Sequence, residues 1–162
     1  DRFDLPRSLL GRRDCDFSFS GLKTAAARQS QGLKSDADKA DLARAVQNAI
    51  ARQLAERSVR ALDLFSESHP DIDRPAFVVA GGVAANATVR ARLMAVAEDK
   101  GFDFIAPPMA YCTDNAAMIA LAGAERLRLG LTSDLAVAAR PRWPLDKSAA
   151  PMLGSGKKGA KA

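Results

Sequence analysis

An α/β fold is what this sequence predicts, on three observations. Ala76-Phe77-Val78-Val79-Ala80 is a short, continuous apolar run, the pattern of a strand buried on both faces. A helical period follows from Asn86 to Lys100, and a second short strand follows that from Phe102 to Ala106. A strand–helix–strand unit of this length normally forms two parallel strands of one sheet. The chain's 162 residues, 48% of them hydrophobic, are enough for one globular unit with a core.

The elements are read in order as follows. Residues 1–16 are irregular and charged. Phe17-Ser18-Phe19-Ser20 alternates as a strand does and runs through Gly21 into a short helical stretch, Leu22 to Gln29. Ser30 to Lys39 is a polar linker in which Ser35-Asp36-Ala37-Asp38 offers several helix caps. From Asp41 to about Ser66 the spacing of Leu42, Val46, Ile50, Leu54, Ala61, Leu62 and Phe65 predicts a long amphipathic helix. Its Arg44, Arg52, Arg57 and Arg60 read as a solvated face. The helix after the first strand carries Val89, Leu93, Val96 and Ala97 on one side and stops at Gly101. Pro107-Pro108 ends the second strand, and a last helix runs from about Asp114 to Leu129, closed by Gly130. The stretch "ARPRWPLD" (139–146) reads as an extended closing segment; contact of Arg140 and Arg142 with RNA phosphate is the alternative. Residues 147–162 form a basic tail whose last dozen residues lack apolar periodicity, and disorder is expected there.

Composition narrows the function classes. The formal net charge is +5, but Lys157, Lys158 and Lys161 of the tail account for three of those charges. This permits a nucleic-acid partner without demanding one. One histidine, His69, cannot build a two-histidine metal motif. No apolar run approaches the roughly 18–20 residues of a membrane span. Cys15 and Cys112 read as reduced thiols of a cytoplasmic protein. The chain starts at Asp1 rather than Met, which leads to the expectation of a fragment or processed piece.

Loops that leave the carboxyl ends of parallel strands share one edge of the sheet, where ligands of open α/β sheets bind. One such loop carries Gly81, Gly82 and Asn86; the other carries Thr113, Asp114 and Asn115. Each opens a helix, so unpaired N–H groups and a positive dipole end favour an anion there. Two readings stand for each loop. Gly81-Gly82 either lets a nucleotide approach the backbone, with Asn86 bonding sugar or base, or forms a tight turn capped by Asn86. Thr113 and Asp114 either cap the last helix, or Asp114 is one hard oxygen ligand of a metal. A full G-x-G-x-x-G is absent, and "FSFSGLKT" fails as a P-loop because Gly21 and Lys23 are not adjacent. A Ser/Gly turn with Lys23 facing an anion is what survives of that idea.

Four stretches in this order, "DFSFSGLKT" (16–24), "VVAGGVAANATVR" (78–90), "YCTDNAAMIALAG" (111–123) and "RPRWPL" (140–145), resemble the C-terminal half of the TsaD-type family. These are the tRNA adenosine threonylcarbamoyltransferases, formerly called glycoproteases or O-sialoglycoprotein endopeptidases. The resemblance covers about residues 3–146. It implies an actin/Hsp70/sugar-kinase-like (ribonuclease H-like) fold of two α/β domains, of which this chain is most of the second, with its core over 76–130. It implies transfer of threonylcarbamoyl from threonylcarbamoyl-adenylate to the exocyclic amine of the adenosine beside the tRNA anticodon. Asn86, with Gly81 and Gly82, matches the substrate-binding motif. Asp114 matches a ligand of one divalent metal, iron or zinc, whose two histidines lie in a first domain absent here. Expected partners are tRNA, threonylcarbamoyl-adenylate, a partner ATPase and a paralogous subunit, with no membrane. The fragment alone is expected to be inactive. Two other readings remain: a non-catalytic interaction module, and a sugar-kinase-like ATP-binding domain. The old peptidase reading lacks a His-Glu-x-x-His helix.

Overall fold

Four helices and one parallel strand pair make up the computed structural model, which describes residues 2–9 and 11–137. In chain order they are α1 (Ser20–Ser30), α2 (Asp36–Ser68), β1 (Ala76–Val78), α3 (Ala87–Asp99), β2 (Asp103–Ile105) and α4 (Ala116–Arg128). Single 3-10 turns lie at Gly82–Ala85 and Met109–Tyr111. The chain divides into two units, Asp1–Met118 and Ile119–Ala162. Arg140, Arg142 and the tail from 147 onward lie outside the described residues. No helix of the described residues is long and apolar enough to cross a membrane.

Helix α2 spans 33 residues, about 50 Å at 1.5 Å per residue. It starts five residues before the expected start at Asp41, because its cap is fully built. Ser35 Oγ accepts the Asp38 N–H at 3.1 Å, and Asp38 Oδ2 accepts the N–H groups of Ser35 and Lys34, each at 3.1 Å. Arg2 pairs with the other oxygen of Asp38 at 2.5 Å. The expected strand at 17–20 is not formed. Phe17 and Phe19 pack with ring centroids 5.6 Å apart, and Ser20 already begins α1.

The strands pair in register, with Ala76 opposite Asp103, Phe77 opposite Phe104 and Val78 opposite Ile105. Phe77 and Phe104 face α2 and α3, where Ala51, Leu62, Leu93 and Ala97 close over them. The expectation of a strand buried on both faces is corrected here. Both helices pack on the phenylalanine face, and Val78 and Ile105 on the other face are 62% and 51% exposed. The continuous apolar run is therefore half used within this chain. Gly101 (φ +75°) supplies the left-handed turn between α3 and β2 that side chains resist.

Two of the four arginines assigned to a solvated face depart from it: Arg60 is half-buried, its Nη1 without a partner among the described residues, and Arg57 is buried outright. Arg57 is 7% exposed, and its guanidinium donates to the backbone oxygens of Leu9 (2.5 Å), Arg12 (3.1 Å) and Asp14 (2.8 Å). These bonds tie an irregular segment to α2 where no secondary structure does so. In the second unit, Gly130 (φ +69°) ends α4. Its N–H bonds Leu127 O at 3.0 Å, and the Leu131 N–H bonds Arg126 O at 2.9 Å, the pair expected of a Schellman turn.

Two outcomes follow. Arg57→Met should destabilise the chain by about 2–3 kcal/mol in urea, since three part-buried carbonyls lose their donor, and should open Arg12 and Arg13 to trypsin. Asp38 is held below its ordinary 3.8, first by the Lys34 N–H, then by Arg2 and Ser35, against an upward pull from burial. A depressed folded value means stabilisation present above the unfolded pKa and lost as pH falls through the folded one. Amide-exchange protection in the first turn of α2 should therefore fade below about pH 4, and Asp38→Asn should flatten that dependence.

Candidate functional site

Parallel pairing sends both strands to the same edge, and the two loops leaving them are fastened together there. Ala84 of the first loop and Cys112 of the second are buried in one cluster with Val79, Val89 and Leu93. The Cys112 thiol lies 3.6 Å from the carbonyls of both Pro107 and Pro108. Arg90, on the first turn of α3, donates to the Pro107 carbonyl and so bridges from one loop to the other. Gly81, Gly82, Asn86 and Asp114 thus belong to one edge of the sheet.

The two glycines are there for different reasons. Gly81 has φ +76°, a conformation that any side chain would strain. Gly82 is not in that region, and a Cβ built on it would meet nothing within 4 Å. The fold of the described residues gives no reason for glycine at 82, and close approach by something outside the chain remains as one. Asn86 caps α3, its Oδ1 accepting the Val89 N–H at 3.0 Å. It is also committed on its other side, where Nδ2 donates to Gln47 Oε1 at 3.0 Å. Capping and ligand binding were set as alternatives for Asn86, yet the cap uses only one acceptor of a four-bond amide.

At the second loop the competition between cap and ligand resolves in an unexpected way. Neither Thr113 nor Asp114 caps α4. Asn115 does so, its Oδ1 accepting the Met118 N–H at 3.1 Å while Nδ2 donates to Thr113 O at 3.0 Å. Asp114 is exposed, with no hydrogen bond or ion pair to any described residue. It is a free carboxylate beside a helix start, able to serve as one hard ligand.

One carboxylate does not make a metal site. Among the described residues no group of three or more His, Cys, Asp or Glu could hold an ion. His69 lies at the opposite end of the sheet, before β1, stacked on Phe65 with centroids 4.5 Å apart. The donor set of the described residues does not fit a metal by itself. Lys23 is exposed on α1, and the turn before it is tied to α2 by a bond from Gln53 Nε2 to Ser18 O at 3.3 Å; no hydrogen bond or ion pair among the described residues joins Lys23 to the Asn86 loop. One cavity of about 610 Å³ lies between residues 3–7 and α2 beside Arg7 and Arg52; another, of about 640 Å³, lies at the loop edge itself, between the start of α3 (Ala87, Arg90, Met94) and the second loop (Pro107, Pro108, Met109). Neither Asn86 nor Asp114 lines either cavity, although Ala87, next to Asn86, lines the second.

Comparison with known proteins gives a consistent likeness. The family model described as TsaD, tRNA N6-adenosine threonylcarbamoyltransferase, matches residues 1–121. A protein of that name from Caulobacter vibrioides is 64% identical over 99% of this chain and 44% of its own length. Those from Maricaulis maris and Rhizobium meliloti are 56% and 54% identical, over 99% and 100% of this chain and 44% and 46% of their own lengths. The chain spans a little under half the length of these relatives.

Substitution separates the two neighbours in the second loop. Asn115→Ala should lower stability by about 1 kcal/mol through loss of the cap, whereas Asp114→Ala should stay within about 0.5 kcal/mol of the unmodified chain. Thermal unfolding of the two variants checks this, and the reverse order would contradict the assignment of the cap.

Proposed function

Since the chain belongs to the TsaD family of tRNA N6-adenosine threonylcarbamoyltransferases, we propose that it is the C-terminal half of such an enzyme and is inactive by itself. The match over residues 1–121 carries this reading. The geometry supports it at two points: a carboxylate at Asp114 that the fold does not use, and a glycine at 82 that the fold does not require. In the finer reading the unit around β1 and β2 is most of the second domain of an actin/Hsp70-like pair. The bare face carrying Val78 and Ile105 supports that, because a sheet of this architecture has cover on both sides.

The reaction proposed for the parent is transfer of threonylcarbamoyl from threonylcarbamoyl-adenylate to the exocyclic amine of the tRNA adenosine beside the anticodon. The amine nitrogen attacks the carbamoyl carbon, the bond from that carbon to the phosphate oxygen breaks, AMP departs, and the nitrogen loses a proton. The donor is a mixed anhydride and already activated. What remains for the protein is to hold donor and amine together, a contribution of several kcal/mol when geometry is right. In this chain Asn86 would anchor the adenylate, and the flat Gly81-Gly82 backbone would let it approach. The N–H groups at the start of α3 would face the charge that grows on the departing phosphate. A divalent metal, iron or zinc, is proposed for the parent with Asp114 as one ligand and the other donors outside this chain. The same reading assigns the parent to the cytoplasm and to a complex with a partner ATPase and a paralogous subunit.

Mixing the chain with the complementary half of its parent, then measuring threonylcarbamoyladenosine in tRNA by mass spectrometry, tests the proposal. Product should form with both halves together and with neither alone. Full transfer by this chain alone would refute its dependence on the other half, and no transfer by the intact parent would refute the function.

A further inference from the structure

Asn86 does not sit on its loop unsupported. Its side chain is the end of a three-residue chain of hydrogen bonds that reaches back to the middle of α2. Asn86 Nδ2 donates to Gln47 Oε1 at 3.0 Å, and Gln47 Nε2 donates to Thr88 Oγ1 at 2.9 Å. The polarity of this chain is forced. A backbone N–H can only donate, so the Asn86 atom facing Val89 N, 3.0 Å away, must be the oxygen. Its nitrogen then faces Gln47, which must present its own oxygen, and the Gln47 nitrogen is left facing the Thr88 hydroxyl. One backbone donor thereby fixes the orientation of two amides.

The consequence lies in what is left over. An asparagine amide has two N–H donors and two acceptor positions. The cap uses one acceptor and Gln47 receives one donor, so one N–H and one lone pair remain, in a fixed order. We infer that Gln47 is a positioning residue: the Val89 N–H sets the order of donor and acceptor, and the second bond, to Gln47, holds the Asn86 amide in that orientation and so fixes where its free N–H meets the substrate. The inference rests on the reading of Asn86 as the adenylate anchor. It assigns to α2, an element with no motif of its own, part of the substrate's orientation.

The intact parent provides the test, with steady-state kinetics in threonylcarbamoyl-adenylate. Gln47→Met keeps the length and removes both polar atoms, and it should raise KM about tenfold with kcat within about twofold, the pattern of a lost binding contribution. Gln47→Glu keeps an acceptor for Asn86 Nδ2 and lets the Thr88 hydroxyl donate to its second oxygen, so it should recover most of that loss. Asn86→Ala should raise KM at least as far as Gln47→Met does. In the chain studied alone, the Asn86 side-chain amide protons should exchange faster in Gln47→Met than in the unmodified chain. Should Gln47→Met fail to fold, Thr88→Val removes the outer bond at an exposed position and should still raise KM about threefold. Unchanged KM and exchange in Gln47→Met, or unchanged KM in Thr88→Val where that variant decides, with Asn86→Ala impaired, would overturn the inference alone. A silent Asn86→Ala would overturn the anchoring role and this inference with it. Neither result resembles failure of the parent to modify tRNA, which would reject the functional reading itself.

Discussion

Helix α2 supports every hydrophobic cluster of the described residues. Ala51 enters the cluster beneath the two loops, Leu42 and Ala49 enter the one that holds residues 3–5 and α1, and Leu62 closes over Phe77 and Phe102. The small residues Ala49, Ala51 and Ala55 are buried along it, so neighbouring elements come close to its backbone. Arg57 holds the irregular segment 9–14 to the same helix through three carbonyls. A two-stranded sheet is not stable by itself in water, and three-residue strands are shorter than most. These two strands persist because Phe77 and Phe104 are pressed against a long helix that is capped at its start by Ser35 and Asp38.

That support fixes the edge at which the two loops meet. Parallel strands end on one side, and Arg90, Ala84 and Cys112 fasten the loops that follow. Polar groups at this edge fall into two kinds. Asn115 and one acceptor position of the Asn86 oxygen are used by helix starts, whereas Asp114 and the remaining Asn86 N–H are not. The opposite face of the sheet, with Val78 and Ile105, is left without cover by the helices that pack on this unit. The chain is a little under half the length of its relatives, and the proposal reads its uncovered sheet face and its unbonded carboxylate as belonging to a part that works against a complement.

Much of this was legible in the sequence, for physical reasons that can be named. The strand–helix–strand order showed through the apolar runs at 76–80 and 102–106 and the period of Val89, Leu93 and Ala97, because burial imposes those spacings locally. Gly101 and Gly130 marked helix ends because a left-handed backbone favours glycine. Three features could not be read. Arg57 does fall on the apolar stripe, three residues after Leu54 and four before Ala61, but the carbonyls that bury it lie 43–48 residues away and leave no local signal. The run at 76–80 looks two-sided because the sequence reports the apolar faces a strand has, not the neighbours this chain supplies. Gln47 gives no local signal, since its partners lie 39 and 41 residues onward. Asn115 was within reach: asparagine is as good a cap as aspartate, and α4 begins just after it. The chemistry proposed for the site comes chiefly from family resemblance, as neither loop alone excludes an ordinary turn.

The central claim is that substrate meets this chain at the shared loop edge, with α2 orienting Asn86 from behind. Backbone amide NMR of the labelled chain, joined to the unlabelled complementary half and titrated with a non-reactive adenylate analogue, tests it most directly. The account predicts shifts concentrated at Gly81, Gly82, Asn86 and Thr88, with Gln47 responding on α2. Shifts confined to the cavity lined by Arg7, Asn48 and Arg52, with the loop edge silent, would contradict it.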